Sequence, residues 1–290
     1  MLTRLAALTV TCVVAAGAAA EVVTLSAVRD NTVYEINTSE EQYSNALGPF
    51  LYCGKNAGNQ ARRALIQFDL SSIPAGSVIE SVNVRVVFER GGPSSSGRNI
   101  TLHRVTSAWG EGTSNAGLPG GTGALATPGD ASWDFRIFPN QAWTTPGGDF
   151  VATPSATIVS GLGLKTWLST PELVADVQGW VNDPSSNHGW VIIGAEGTPG
   201  SAMRMFSREG GAAPEITVTY SPGRPPCGTA DFDGDGDVGT DADIEAFFAC
   251  LGGNCCDTCF ELGADFDADG DVGTDADIES FFRVLAGGDC

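Results

Sequence analysis

The chain has 290 residues, with 15 Lys and Arg against 35 Asp and Glu, and a formal charge of −20. Such a balance leaves little to neutralise phosphates, so it argues against nucleic acid and against docking on an anionic membrane surface. The 38 Gly and 15 Pro favour a loop-rich β body over a helical one.

The N-terminus reads as an export signal. Arg4 supplies the positive start, residues 5–16 an apolar run, and Ala18-Ala19-Ala20 the small-residue cleavage site, which makes Glu21 the expected mature N-terminus. No later run reaches the roughly 18 apolar residues of a membrane span. The mature chain is therefore expected outside the cell or on its surface, in an oxidising compartment, with no transmembrane segment.

Residues 21–222 carry short β-type runs between turn signals. Segments 22–25 and 64–68 are two of them. Segments 81–88 and 215–220 alternate with period two, and Trp190-Val191-Ile192-Ile193 is a continuous apolar run suited to a buried central strand. Many short strands at this spacing predict a sandwich or jelly roll. One helix is predicted over residues 171–181, where Leu173, Val174, Val177 and Trp180 share a face. Between Trp109 and Val151 the pattern dissolves into Gly, Pro, Thr and Ser, and long loops of this kind are often functional.

The order of several short motifs in this region is informative. Asp30-Asn31-Thr32-Val33-Tyr34-Glu35 is followed by Arg62-Arg63-Ala64-Leu65-Ile66-Gln67-Phe68-Asp69-Leu70 and Ile73-Pro74-Ala75-Gly76. Leu102-His103-Arg104-Val105, Trp109-Gly110-Glu111-Gly112, Val177-Gln178-Gly179-Trp180, Asn187-His188-Gly189-Trp190 and Ser207-Arg208-Glu209 come next. In this order they resemble a DNRLRE-type β-sandwich over nearly the whole region. The resemblance implies a jelly-roll fold and suggests binding of extracellular polysaccharide.

Glycan recognition needs aromatic rings for the apolar sugar faces and polar groups for the hydroxyls. All six Trp lie in this region. Trp109, Trp167, Trp180 and Trp190 adjoin predicted elements and are expected in the core. Trp133 and Trp143 lie in the polar loop and are the candidate sugar platforms, with Glu111 and Arg104 as polar partners. Arg62, Arg63, Arg104 and Arg208 have two readings, pairing with an acidic sugar or with the carboxylates Glu35, Asp69, Glu111 and Glu209, of which the second is the more expected. Asp30, Glu35, Asp130, Asp149 and Glu196 are candidates for a structural calcium. No catalytic residue is assigned: no Gly-x-Ser-x-Gly, phosphate-binding loop or His-Glu-x-x-His occurs.

Residues 223–229 form a Pro-rich linker. Beyond it the composition shifts: from Cys227 onward 17 acidic side chains face a single base, Arg283. Six cysteines fall there, Cys227, Cys250, Cys255, Cys256, Cys259 and Cys290, and their even number in an exported segment predicts disulfides of open pairing.

The tail, residues 230–290, repeats with a period of 34 residues. Residues 230–245 return at 264–279 with one change, Gly234 to Ala268. Asp231, Asp233 and Asp235 occupy positions 1, 3 and 5 of a calcium loop, with Gly236 at the turn, Asp237 offering its carbonyl and Val238 turned inward. Asp265, Asp267, Asp269, Gly270, Asp271 and Val272 repeat the set. An amphipathic helix follows each loop, carrying Ile244, Phe247, Phe248 and Leu251, then Ile278, Phe281, Phe282 and Leu285. The arrangement resembles a dockerin, which implies two Ca2+ and a protein partner. It departs in having Ala242 and Ala276 at position 12, so that Asp243 and Asp277 take the last ligand position, with Asp241 and Asp275 as competitors.

The combined expectation is a mainly β, jelly-roll sandwich with a small α-helical calcium-binding tail. Its function would be non-catalytic polysaccharide binding, the tail attaching it to a partner or surface. Two alternatives stand beside it: a glycan hydrolase or lyase using Glu111, Asp130 or Asp149, and a calcium-stabilised envelope or matrix protein.

Overall fold

The computed structural model describes residues 20–36, 41–222 and 227–288. The expected export signal, Ala20 apart, lies outside the described residues, as do linker residues 223–226 and Cys290.

The elements of the body run β1 (Glu21–Tyr34), β2 (Tyr43–Ser44), β3 (Phe50–Lys55), β4 (Ala61–Phe68), β5 (Val78–Gly91), β6 (Asn99–Arg104), β7 (Ala124–Leu125) and β8 (Phe135–Ile137). They continue with β9 (Gln141–Ala142), β10 (Ala156–Val159), β11 (Gly163–Trp167), α1 (Pro171–Asn182), β12 (Trp190–Ile193), β13 (Met203–Phe206) and β14 (Glu215–Ser221). The tail holds α2 (Asp241–Leu251) and α3 (Asp275–Leu285).

The strands form two antiparallel layers. In one, β5 pairs with β11, β13 and β14, and β14 pairs with the first half of β1. In the other, the order is β10, β6, β12, β4, the second half of β1, then β2 and β7. β1 changes layer at a bulge between Ala27 and Arg29. β3 does the same, pairing with β13 and then with β4. These two crossings join the layers and leave the sandwich closed where it would otherwise present open edges.

Alternation explains which face each strand buries. In β5, Ile79, Val82, Val84, Val86 and Phe88 enter the space between the layers, while Glu80 and Arg85 stay outside. Ile216, Val218 and Tyr220 of β14 do likewise. β12 is buried on both faces: Trp190 and Ile192 join the main core, and Val191 joins a second cluster on the outside of its layer. α1 starts at Thr170, whose hydroxyl accepts the Leu173 amide at 3.1 Å, with Pro171 as its first residue. Its Leu173, Val177, Trp180 and Val181 complete the main core.

The Trp109–Val151 region is ordered rather than an open loop. Asn31 anchors it, donating to the carbonyls of Glu111 and Ala131 and accepting from Ser44 and the Asn45 amide. Asp130, fully buried, accepts from the amides of Ser114 and Thr127 and from the Thr127 hydroxyl. The hairpin of β8 and β9 follows. Trp109, Ala131 and Trp143 then cover Val33, Leu65 and Val191 on the outer face of β1, β4 and β12.

The tail core is made of phenylalanines. Each repeat supplies one ring from its loop, Phe232 or Phe266, and one from its helix, Phe247 or Phe281, all fully buried. Phe247 and Phe281 stack with ring centres 4.1 Å apart. Cys250 bonds Cys255, Cys256 bonds Cys259, and Cys227 is also disulfide-bonded. Two expectations fail here. Val238 and Val272 point outward, 69% and 70% exposed, because the Phe rings already fill the core. Phe248 and Phe282 lie half out of it, at 46% and 45%.

Candidate functional site

The strand register places one cationic side chain where the covering segment thins out. Along β4, Arg63, Leu65 and Gln67 alternate with the inward Ala64, Ile66 and Phe68, which sets Arg63 on the outer face beside Ile193. Its guanidinium grips Glu196 bidentately at 2.7 and 2.8 Å and donates to the Gly147 carbonyl at 2.9 Å. Its carbon sits 4.9 Å from the centre of the Trp133 ring and 5.3 Å from that of Phe150. A side chain at Gly147 would strike both: a Cβ there would lie 2.6 Å from Arg63 Nη1 and 3.0 Å from Trp133 Cζ2.

Beside this cluster opens a cavity of about 480 Å3, lined by Arg63, Ser107, Thr144, Thr145, Asp149 and Phe150 among others. Asp149 orders its rim by accepting the amides of Thr144 and Thr145 and the Ser107 hydroxyl. Burial alone would raise the Asp149 pKa, but these bonds outweigh it and hold the carboxyl below its ordinary range. A smaller cavity, about 210 Å3, is lined by Trp133 together with Tyr34, Glu35, Gln42 and Asp134. Trp133 is half-buried and borders it, while the larger cavity is reached through Arg63 and Phe150. The site thus offers aromatic surface together with Ser and Thr hydroxyls, on a rim that the Asp149 carboxylate orders, a combination suited to a sugar ring.

The other candidate residues fall elsewhere. Trp143 is only 5% exposed, and its Nε1 donates to the Ser132 carbonyl, so it is a core residue of the covering segment and not a platform. Arg104 pairs with Asp176 of α1 at 3.0 Å, because in β6 it sits opposite Trp190 and faces away from Trp133. Glu111 accepts from Arg208 and from the Asp30 amide. The structure therefore brings Trp133 together with Arg63, Phe150 and Asp149, and does not bring in Trp143, Arg104 or Glu111. The period-two pattern of β4 was the available signal for Arg63; nothing local singled out Phe150.

The five carboxylates considered for a body calcium are dispersed over separate tasks. Glu35 accepts the Ala61 amide, Glu196 holds Arg63, and Asp130 and Asp149 staple the covering segment. Asp30 is fully buried, with Oδ2 on the Arg208 amide at 2.6 Å and Oδ1 without a partner.

In the tail, Asp231, Asp233 and Asp235 bring carboxylate oxygens within 4.8 Å of one another, and so do Asp265, Asp267 and Asp269. These trios could hold a metal ion. Oxygen-only ligands at this spacing suit a hard divalent cation. The second trio is the more enclosed: Asp265 and Asp267 are 9% and 2% exposed, and Asp265 Oδ1 has no hydrogen-bond partner. Asp237 and Asp271 are exposed and stand outside the trios. Asp243 and Asp277 are buried, and their carboxylates are engaged elsewhere. Asp243 accepts the amides of Phe232 and Thr240 and the Thr240 hydroxyl, and Asp277 accepts those of Asp267 and Thr274 in the same way. Each closes a capping box and ties helix to loop. The backbone bonds overcome burial and hold Asp243 below the ordinary carboxylate range.

The profile of carbohydrate-binding module family 96 matches residues 21–115. That stretch runs from β1 through β6 and past Glu111, and includes Arg63. No curated protein matches the chain. The body thus contains a region similar to a carbohydrate-binding module, and no helix among the described residues is long and apolar enough to cross a membrane.

Proposed function

We propose that this is a secreted, non-catalytic polysaccharide-binding protein, with the glycan held at Trp133 and the adjoining Arg63–Asp149 cavity. The observation that carries this reading is a half-buried Trp that borders one cavity and packs on Arg63, which lines a second cavity rimmed by hydroxyls, in a body whose first half matches a carbohydrate-binding module. The tail would bind two Ca2+ through the Asp231 and Asp265 loops and attach the protein to a partner or surface. Support for binding over hydrolysis comes from the carboxylates themselves. Glu111, Asp130 and Asp149 are each committed to Arg208 or to backbone amides, whereas a glycosidase needs one free acid and one free base or nucleophile.

The test is retention of the mature protein on neutral and acidic polysaccharides with calcium present. Trp133→Ala is expected to weaken retention at least about tenfold, in the range of a truncated interface anchor. Trp143→Phe, a core change that keeps an aromatic ring but gives up the bond to the Ser132 carbonyl, should retain binding. Equal retention by wild type and Trp133→Ala would move the site elsewhere; no retention on any polymer would end the reading.

A further inference from the structure

The two tail loops differ at one position in 16, and the fold supplies a reason. A Cβ on Gly234 would lie 2.7 Å from the carbonyl oxygen of Thr258. Thr258 belongs to the connector between the repeats, where Cys256 and Cys259 are disulfide-bonded and the Cys259 amide donates to the Cys256 carbonyl. The next residue, Phe260, donates its amide to the Phe232 carbonyl at 3.0 Å. The connector therefore lies directly on the first loop, between Asp231 and Asp235. At the equivalent place in the second loop, Ala268 takes the same left-handed backbone (φ +56, against +74 at Gly234) and carries its methyl group. The backbone shape is thus open to Ala. What requires Gly at 234 is the contact with Thr258.

From this we infer that the Cys256–Cys259 disulfide is a brace for the first cation loop only, so that reduction of this bond releases the first cation and leaves the second. The inference rests on the calcium reading above. The second loop has its own support, since Asp265 and Asp267 are buried and Asp265 Oδ1 has no hydrogen-bond partner. The first trio is more exposed and owes more of its shape to the connector. Cys256 is exposed, so an external dithiol can attack there. The exchange balances: the dithiol gives two electrons and two protons, leaves as its own disulfide, and Cys256 and Cys259 become thiols. Cys255, the partner of Cys250, is exposed as well, so the variant that removes Cys256 and Cys259 alone separates the brace from that second bond.

The test is calorimetric titration of calcium into the full mature protein, using Asp265→Asn to isolate the first site and Asp231→Asn to isolate the second. Mild dithiol treatment should weaken the first site about tenfold, or about 1.4 kcal/mol, and change the second less than twofold. Cys256→Ser with Cys259→Ser should reproduce the weakened first site and be indifferent to dithiol. Gly234→Ala should weaken the first site in the oxidised protein, with little further loss on reduction, because the clash and the brace share one contact. Two bound cations with both affinities unmoved by reduction would overturn the inference while leaving the calcium reading intact. No cation bound by the oxidised wild type would overturn the calcium reading, and the brace with it.

Discussion

Chelation of divalent cations is expected to melt α2 and α3 and leave the body folded. Three carboxylates lie within 4.8 Å of one another in each loop. A pair of like charges about 4 Å apart costs on the order of 4 kcal/mol at an effective dielectric near 20. Loop amides take up part of this, but no cationic side chain of the tail is left to neutralise it, because its one base, Arg283, pairs with Glu279. The four-ring core also depends on both loops, since Phe232 and Phe266 sit inside them. The two tail helices have 11 residues each against 12 in α1, so the far-ultraviolet helical signal should fall by more than half and return with calcium. All six Trp belong to the body, so Trp fluorescence should stay unchanged. A helical signal indifferent to chelator would count against cation-dependent folding of the tail.

The body should lose stability as pH rises through neutrality, and Asp30 is the cause. Burial pushes its pKa up to about 8, with Glu209 and Glu111 adding to the rise and Arg208 opposing it. Its ordinary value is 3.8, so between about pH 4 and 8 the folded chain holds a proton that the unfolded chain releases. That contribution is fully present below pH 4, declines as pH rises and is gone above 8. The slope approaches about 1.4 kcal/mol per pH unit, which makes the total several kcal/mol. Asp30→Asn keeps an acceptor for the Arg208 amide and removes the titration. Thermal midpoints followed by Trp fluorescence from pH 5 to 9, at fixed calcium, should fall steeply for wild type and be flatter for the variant. Parallel profiles would assign the pH dependence to other groups.

How much of this was legible in the sequence follows from the kind of force holding each part. β5, β14 and α1 are fixed by periodic burial, and their patterns show it directly. The tail repeat was equally plain, because its loops are local. The covering segment was not legible, because side chains far apart in sequence order it: Asn31 reaches Glu111 and Ala131, and Asn45 accepts the Ala116 amide. The same cause separated Trp133 from Trp143. Both sit among Gly, Thr and Pro and both pack on the cluster of Leu65 and Val191, but Trp143 is buried within it, its Nε1 bonded to the Ser132 carbonyl, while Trp133 is only partly buried against it. Val238 misled for a related reason: its loop position suggests an inward turn, but the tail core is filled by Phe232, Phe247, Phe266 and Phe281 and Val238 stays exposed.

The pairing of β14 also bears on how the protein would carry load. β14 is the last element before the tail, and it is bonded on both sides, through six residues to β1 and seven to β5. With the body held on a glycan and the tail held on a partner, tension enters at Ser221. A pull along the strand axis loads both ladders in shear, so the bonds resist together instead of parting one after another. The time the body survives under force is then set by rupture of that central strand, an unfolding rate rather than an equilibrium.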